Sequence, residues 1–293
     1  MAQNVYQMVT DRIVEEMAKG IIPWRKPWSG AKLDAEEAAI SYVTRRAYSV
    51  LNQWLLGKPG EYLTFNQVKE NGGSIKRGAK SRFVVFYTKV QHVEKDAETG
   101  EEKIVSYPLL KYYNVFHIDD CEGVKSKCKP GEKVEVPSEV ESIAEADAVI
   151  AAYVEREAGF KFYNDKPSNE AYYAPAGDYV KVPMKSQYTA ISEYYSTTFH
   201  ELVHSTMKEN RCNRKSENAH SHFGNHEYSR EELVAEIGSA MLCSRMNINV
   251  ERTFKNSVAY IQSWIKSLKN DPKMIVWASS RAEVAAKYIL NEQ

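Results

Sequence analysis

The stretch TTFHELVHSTM, residues 197 to 207, sets two histidines four positions apart with a glutamate directly after the first. That spacing constrains the chain more than any other feature. On an α-helix, positions i and i+4 lie one above the other on one face, whereas on a strand they stand about 13 Å apart. The surrounding ISEYYSTTFHELVHSTMKE carries apolar residues at helical spacing, so a helix is expected and His200 and His204 should converge on one point. Two neutral imidazoles on one helix face, an open position beside them and an adjacent carboxylate are what metal-assisted hydrolysis requires. Glu201 is then placed to take a proton from a water held by the metal.

Two imidazoles need a third ligand. An extended motif would put glycine three and histidine six residues after the second histidine, but Met207 and Asn210 stand there. The ligand must come from elsewhere, and the downstream helix REELVAEIGSAMLCSRM offers Glu231, Glu232 and Glu236. Glu232 and Glu236 share a face with Ser239 and Cys243, while Glu231 is turned about 100° away. An acidic pair on an otherwise small and apolar helix is costly to bury unless it is coordinated or paired. We therefore expect Glu232 to complete the metal site and Glu236 to support a ligand histidine. His220, His222 and His226 in the intervening loop compete for the third position. Zn2+ is the expected ion, with Mn2+ or Co2+ able to replace it at such a site. Tyr228, just before the ligand helix, is the candidate donor to a developing oxyanion.

A chain of 293 residues is long enough for two domains of roughly 100 to 200 residues. No apolar run approaches the ~20 residues that cross a bilayer, and the N-terminus mixes acids with apolar residues rather than forming a leader. A cytoplasmic protein without a membrane span is expected. VYQMVTDRIVEEMA reads as a helix, and RFVVFYTKVQHV and SYPLLKYYNVFHI read as strands pairing in a long hairpin. The Lys-, Pro- and Gly-rich KSKCKPGEKVEVP loses periodicity and marks a linker, which divides the chain into residues 1–125, a linker at 126–140 and residues 141–293.

The formal net charge is zero, but from Arg45 to Lys95 ten Lys and Arg stand against three acids. Single-stranded DNA binding needs cations to track phosphates and aromatic faces on which bases stack. PWRKPW supplies Trp24, Arg25, Lys26 and Trp28; TRRAYSVLN supplies Arg45, Arg46, Tyr48 and Asn52; SIKRGAKSR supplies Lys76, Arg77, Lys80 and Arg82. No recognition helix of the kind that reads duplex grooves is evident.

In the first half, VYQMVTDRIVEEMAKGIIPWRKPW, TRRAYSVLN, LTFNQVKENGGSIKRGAKSRFVVFY and YYNVFHIDD resemble ArdC-type antirestriction proteins of conjugative plasmids and phages. In the second half, YYAPAGDYVKVPM, FHELVHS, EYSREELVAEIGSAML and YIQSWIKSL do so too. The resemblance covers nearly the whole chain. It implies an α+β protein of two domains, an N-terminal single-stranded-DNA-binding domain and a C-terminal zincin-like metallopeptidase domain. The family pattern ExxAE falls on Glu232 and Glu236. The implied role is protection of incoming DNA from restriction, with a peptidase acting on an unidentified protein substrate. The alternatives are a DNA-binding protective protein whose metal site is structural or inactive, and a peptidase that works without DNA.

Overall fold

The computed structural model describes residues 4–25, 38–95, 102–128, 138–214, 226–248 and 258–292. The first helix, α1 (Val5–Ala18), is capped by Asn4, whose side chain accepts from the Tyr6 N–H, and it buries Val9, Ile13 and Met17 at helical spacing. After a 3-10 turn at Pro23–Arg25 come β1 (Ala39–Ser41), α2 (Val50–Leu56), β2 (Gly60–Leu63), α3 (Phe65–Glu70) and β3 (Ser74–Ile75). The expected hairpin is present: β4 (Arg82–Lys95) and β5 (Glu102–His117) pair antiparallel, with Phe86 opposite Lys111 and Val84 opposite Tyr113. They complete a four-stranded sheet of order β1-β2-β5-β4, in which β1 runs parallel to β2. The short β6 (Cys121–Glu122) pairs with β3.

The second half opens on α4 (Glu139–Arg156), started by a capping box between Ser138 and Glu141. A small sheet of order β7-β9-β8 follows, built from β7 (Lys161–Tyr163), β8 (Tyr172–Ala174) and β9 (Tyr179–Lys181). The remainder is helical: α5 (Ile191–Ser205), α6 (His226–Arg245), α7 (Val258–Asn270) and α8 (Met274–Leu290). Helix α6 begins at His226, four residues before the Arg230 at which the sequence reading began it. The α+β class and two-region organisation are those expected.

One apolar core joins the halves. Val9, Ile13 and Trp24 belong to the same buried cluster as Phe199, Leu233, Trp264 and Ala282. The Thr10 hydroxyl donates to the Pro272 carbonyl at 2.9 Å, pinning α1 between α7 and α8. The linker stretch 126–140 is a division of the sequence that this core crosses, and most of it, residues 129–137, lies outside the described structure. Among the described residues no helix is long and apolar enough to cross a membrane.

Candidate metal centre

Helix α5 buries Tyr194, Tyr195, Thr198, Phe199, Leu202 and Val203, which leaves His200 and His204 on the adjoining, half-covered stripe. Helix α6 crosses that stripe. Its register is set at Gly238, where an added Cβ would lie 2.8 Å from a Val203 methyl, and at Ser239, whose hydroxyl donates to the Ser196 carbonyl at 2.7 Å. The close crossing brings Glu232 to the histidines. His200 Nε2 and His204 Nε2 are 3.1 Å apart, Glu232 Oε2 is 3.5 Å from the first and Oε1 is 3.3 Å from the second. Donors about 2.05 Å from one ion in a tetrahedral array stand about 3.3 Å apart, so these spacings fit a divalent metal. His200, His204 and Glu232 are the group among the described residues whose ligand atoms converge for a metal. Glu201, 9% exposed, follows His200 on α5.

The carboxylate on the far side of the His204 ring is Glu231. Glu231 Oε1 lies 3.5 Å from His204 Nδ1 and is held by Arg214, whose Nη2 donates to Oε1 at 2.8 Å and Nε to Oε2 at 3.1 Å. Arg214 is 2% exposed and spends its other donors on Thr206 Oγ1 and the Val203 carbonyl, folding the chain after α5 back beneath the site. The 100° turn between Glu231 and Glu232 is what serves both sides of His204: one carboxylate reaches Nε2, the other Nδ1. Glu236, one turn further along α6, is outside the converging three.

Burial opposes charging His204, but hydrogen bonds to Glu231 and Glu232 outweigh it and push its pKa up to about 10. Burial likewise raises both carboxyls, and their partners outweigh it: His204 and Arg214 hold Glu231 below the usual range, and His200 and His204 hold Glu232 well below it. The site is electrostatically built for a cation. The end of α5 is tied down as well, since Ser205 Oγ meets the Tyr153 hydroxyl at 2.8 Å and the buried Arg211 donates to the Ser205 carbonyl at 2.8 Å. Arg211 in turn pairs with Asp178 and Glu157.

The Gly238 crossing gives a test. Alanine at Gly238 gains about 1 kcal/mol of helix propensity but drives its methyl into Val203, and overpacking costs about 1–3 kcal/mol. Gly238→Ala is expected to lower stability and, by separating α6 from α5, weaken metal binding; a variant that titrates with metal as tightly as the native chain would refute the close crossing.

Two family profiles cover most of the chain. The one described as the N-terminal domain of anti-restriction factor ArdC matches residues 3–116, and the one described as zincin-like metallopeptidase matches residues 146–281. Among solved structures, the metal-free antirestriction ArdC protein from R388 plasmid is 30% identical, covers 99% of this chain and 100% of its own, and superposes with a TM-score of 0.69. The chain belongs to the ArdC family of antirestriction proteins. The Mn(II)-bound form of R388 ArdC matches with a TM-score of 0.71, also at 30% identity, over 99% of this chain and 98% of that one. The uncharacterized protein y4eC of Sinorhizobium fredii is 25% identical over 99% of this chain and 92% of its own length. The DNA primase TraC of Escherichia coli is 25% identical over 97% of this chain, which spans only 27% of that longer protein.

Within the ArdC N-terminal region the expected DNA contacts separate into groups. Trp24 is 3% exposed and packed between Trp54 at 6.0 Å and Trp264 at 6.3 Å, so it is a core ring rather than a stacking platform. Asn52 is also buried, and its amide exchanges two 2.8 Å hydrogen bonds with the Val85 backbone, closing the outer edge of β4. Arg45 pairs with Glu61, a buried carboxylate that also accepts from Ser126. Arg46, Arg77 and Lys80 are exposed, as is Lys76, whose ammonium donates to the Asp119 carbonyl. Tyr48 is half-buried against Tyr62. Lys26, Trp28, His220 and His222 lie outside the described residues, as do the side chains of Arg25, His226 and Tyr228.

Proposed function

We propose that the chain is an antirestriction protein that holds single-stranded DNA on its N-terminal region and hydrolyses a protein substrate at a zinc bound by His200, His204 and Glu232. The observation that carries this reading is the convergence of three ligand atoms at tetrahedral spacing, two from α5, the helix bearing Glu201, and one from α6. Structural zinc sites close with four protein ligands, whereas catalytic ones use three and keep a position open. His200, His204 and Glu232 match the three-ligand set of a catalytic site.

Zinc, when bound, would polarise a carbonyl and acidify a water. The chain supplies the rest. His200 and His204 present Nε2, and Glu231 holds the Nδ1–H of His204, fixing its tautomer and ring orientation. Glu201 takes a proton onto its carboxylate and returns it to the departing amine. The Mn(II)-bound form of R388 ArdC supports a divalent ion, and the primase name of TraC supports a nucleic-acid setting. A DNA-held enzyme meets proteins on the same DNA at raised local concentration, which couples the two halves.

The test is entry of unmodified single-stranded DNA into a restricting host that expresses the chain. Protection is expected from the native protein and not from His204→Ala; equal protection by both would leave DNA binding as the protective activity and remove the peptidase from the role. Metal analysis of Glu232→Ala should show loss of zinc, and undiminished content would move the third ligand elsewhere.

A further inference from the structure

Trp24, one of the rings that the sequence offered for base stacking, is buried, yet the sheet exposes other aromatics. Tyr113 is 54% exposed and stacks on Phe86 with ring centroids 4.7 Å apart and planes 1° from parallel. Phe86 faces Lys111 across the β4–β5 ladder, and Tyr113 faces Val84, so Val84, Phe86, Lys111 and Tyr113 share one face of the sheet. At the inner end of that face Val84 and Val115 pack with Leu56 and Tyr62, which anchors the strands and leaves the aromatic pair standing beyond the covered part. Lys111 is exposed beside the stack. Phe86 and Tyr48 both line a cleft of ≈ 360 Å³ between β4, α2 and α8.

Further cations lie nearby in the chain. Lys80 and Arg77 stand in the turn before β4, Lys80 at most ~22 Å of chain from Phe86, and Arg46 precedes Tyr48. The acid on the cleft, Glu283, has Lys287 3.9 Å away. A parallel aromatic pair with one exposed ring and Lys111 beside it fits unpaired bases whose phosphates run alongside, and a duplex, with its bases already stacked, has nothing to offer it. We propose that Phe86 and Tyr113, with Lys111 and Tyr48, form the surface on which this chain stacks the bases of single-stranded DNA. This rests on the DNA half of the proposed function and gives it a place, the face of the hairpin that carries Phe86 and Tyr113.

The experiment measures binding of the full-length chain to a labelled oligothymidine of about 20 nucleotides, longer than the ~4–16 that one module covers, across a series of salt concentrations. Phe86→Ala with Tyr113→Ala should weaken binding roughly 5- to 150-fold for each stack lost and leave the salt slope unchanged. Lys111→Ala should reduce that slope by about 0.7. Tyr113→Phe keeps the ring and should bind like the native chain. Photocrosslinking of an oligonucleotide carrying 5-iodouracil should map to Tyr113. A native chain that binds the oligonucleotide while the double alanine variant binds it equally tightly overturns the platform and leaves the DNA reading standing; a native chain that binds no oligonucleotide overturns both. Equal weakening toward duplex and single strand also overturns it, because a stacking surface needs unpaired bases.

Discussion

Replacing Glu201 with glutamine is expected to slow hydrolysis of a susceptible protein by roughly 10²- to 10⁴-fold, the usual contribution of a positioned general base. Glutamine keeps the size of the side chain and a hydrogen-bonding carbonyl but has no basic oxygen to receive a proton. The ligand atoms of His200, His204 and Glu232 are untouched, so metal content should stay at the native level, as should oligonucleotide affinity. Hydrolysis rates compared at equal zinc content decide the matter. A variant as fast as the native chain would exclude Glu201 as the base; a slow variant that has also lost its zinc would make the effect one of ligation.

The second large effect is expected at Arg214. It is the buried partner of Glu231, and removing one member of a buried pair leaves an uncompensated charge, at a cost of about 3–5 kcal/mol. For a chain of this size Arg214→Ala should lower the melting temperature by ~5–10 °C. Replacing both members with apolar residues, Arg214→Met with Glu231→Leu, should recover much of that loss, since a well-packed apolar pair often does as well as a buried ion pair. The recovered variant should nevertheless bind metal about 10- to 100-fold more weakly, because His204 has lost the carboxylate at Nδ1. Stability and metal affinity thus part company in the double variant. If affinity returns along with stability, Glu231 contributes only to folding.

The divergence between sequence and structure follows a physical line. His200 and His204 were legible because i and i+4 on a helix face need no tertiary knowledge, and Glu232 because buried acids on a small apolar helix demand a partner. The hairpin was legible from its β-rich runs. The role of Glu231 was not legible because it lies on the neighbouring face of α6, and the chain that returns beneath His204 carries Arg214 from a segment without periodicity. Trp24 sits among proline and basic residues that suggest an exposed loop, and the Trp264 that buries it lies more than two hundred positions away. Asn52 looked like part of a basic recognition segment, whereas the unpaired edge of β4 claims its amide. Phe86 and Tyr113 were read only as strand formers, and taking alternate positions across the paired strands would have placed them on one face with Lys111.

The Thr10–Pro272 contact and the tryptophans that meet across the halves have a consequence for how the chain melts. Two units joined by a tether would denature in two steps, whereas a shared core makes each half a scaffold for the other, so heat or urea should produce one cooperative transition. Cutting near residue 125 would strip α1 of its cover and present Val9, Ile13 and Met17 to water. The kinship with TraC has the matching form: 97% of this chain, both halves together, aligns within a protein nearly four times as long. The shared core gives a physical reason for the two halves to stay together.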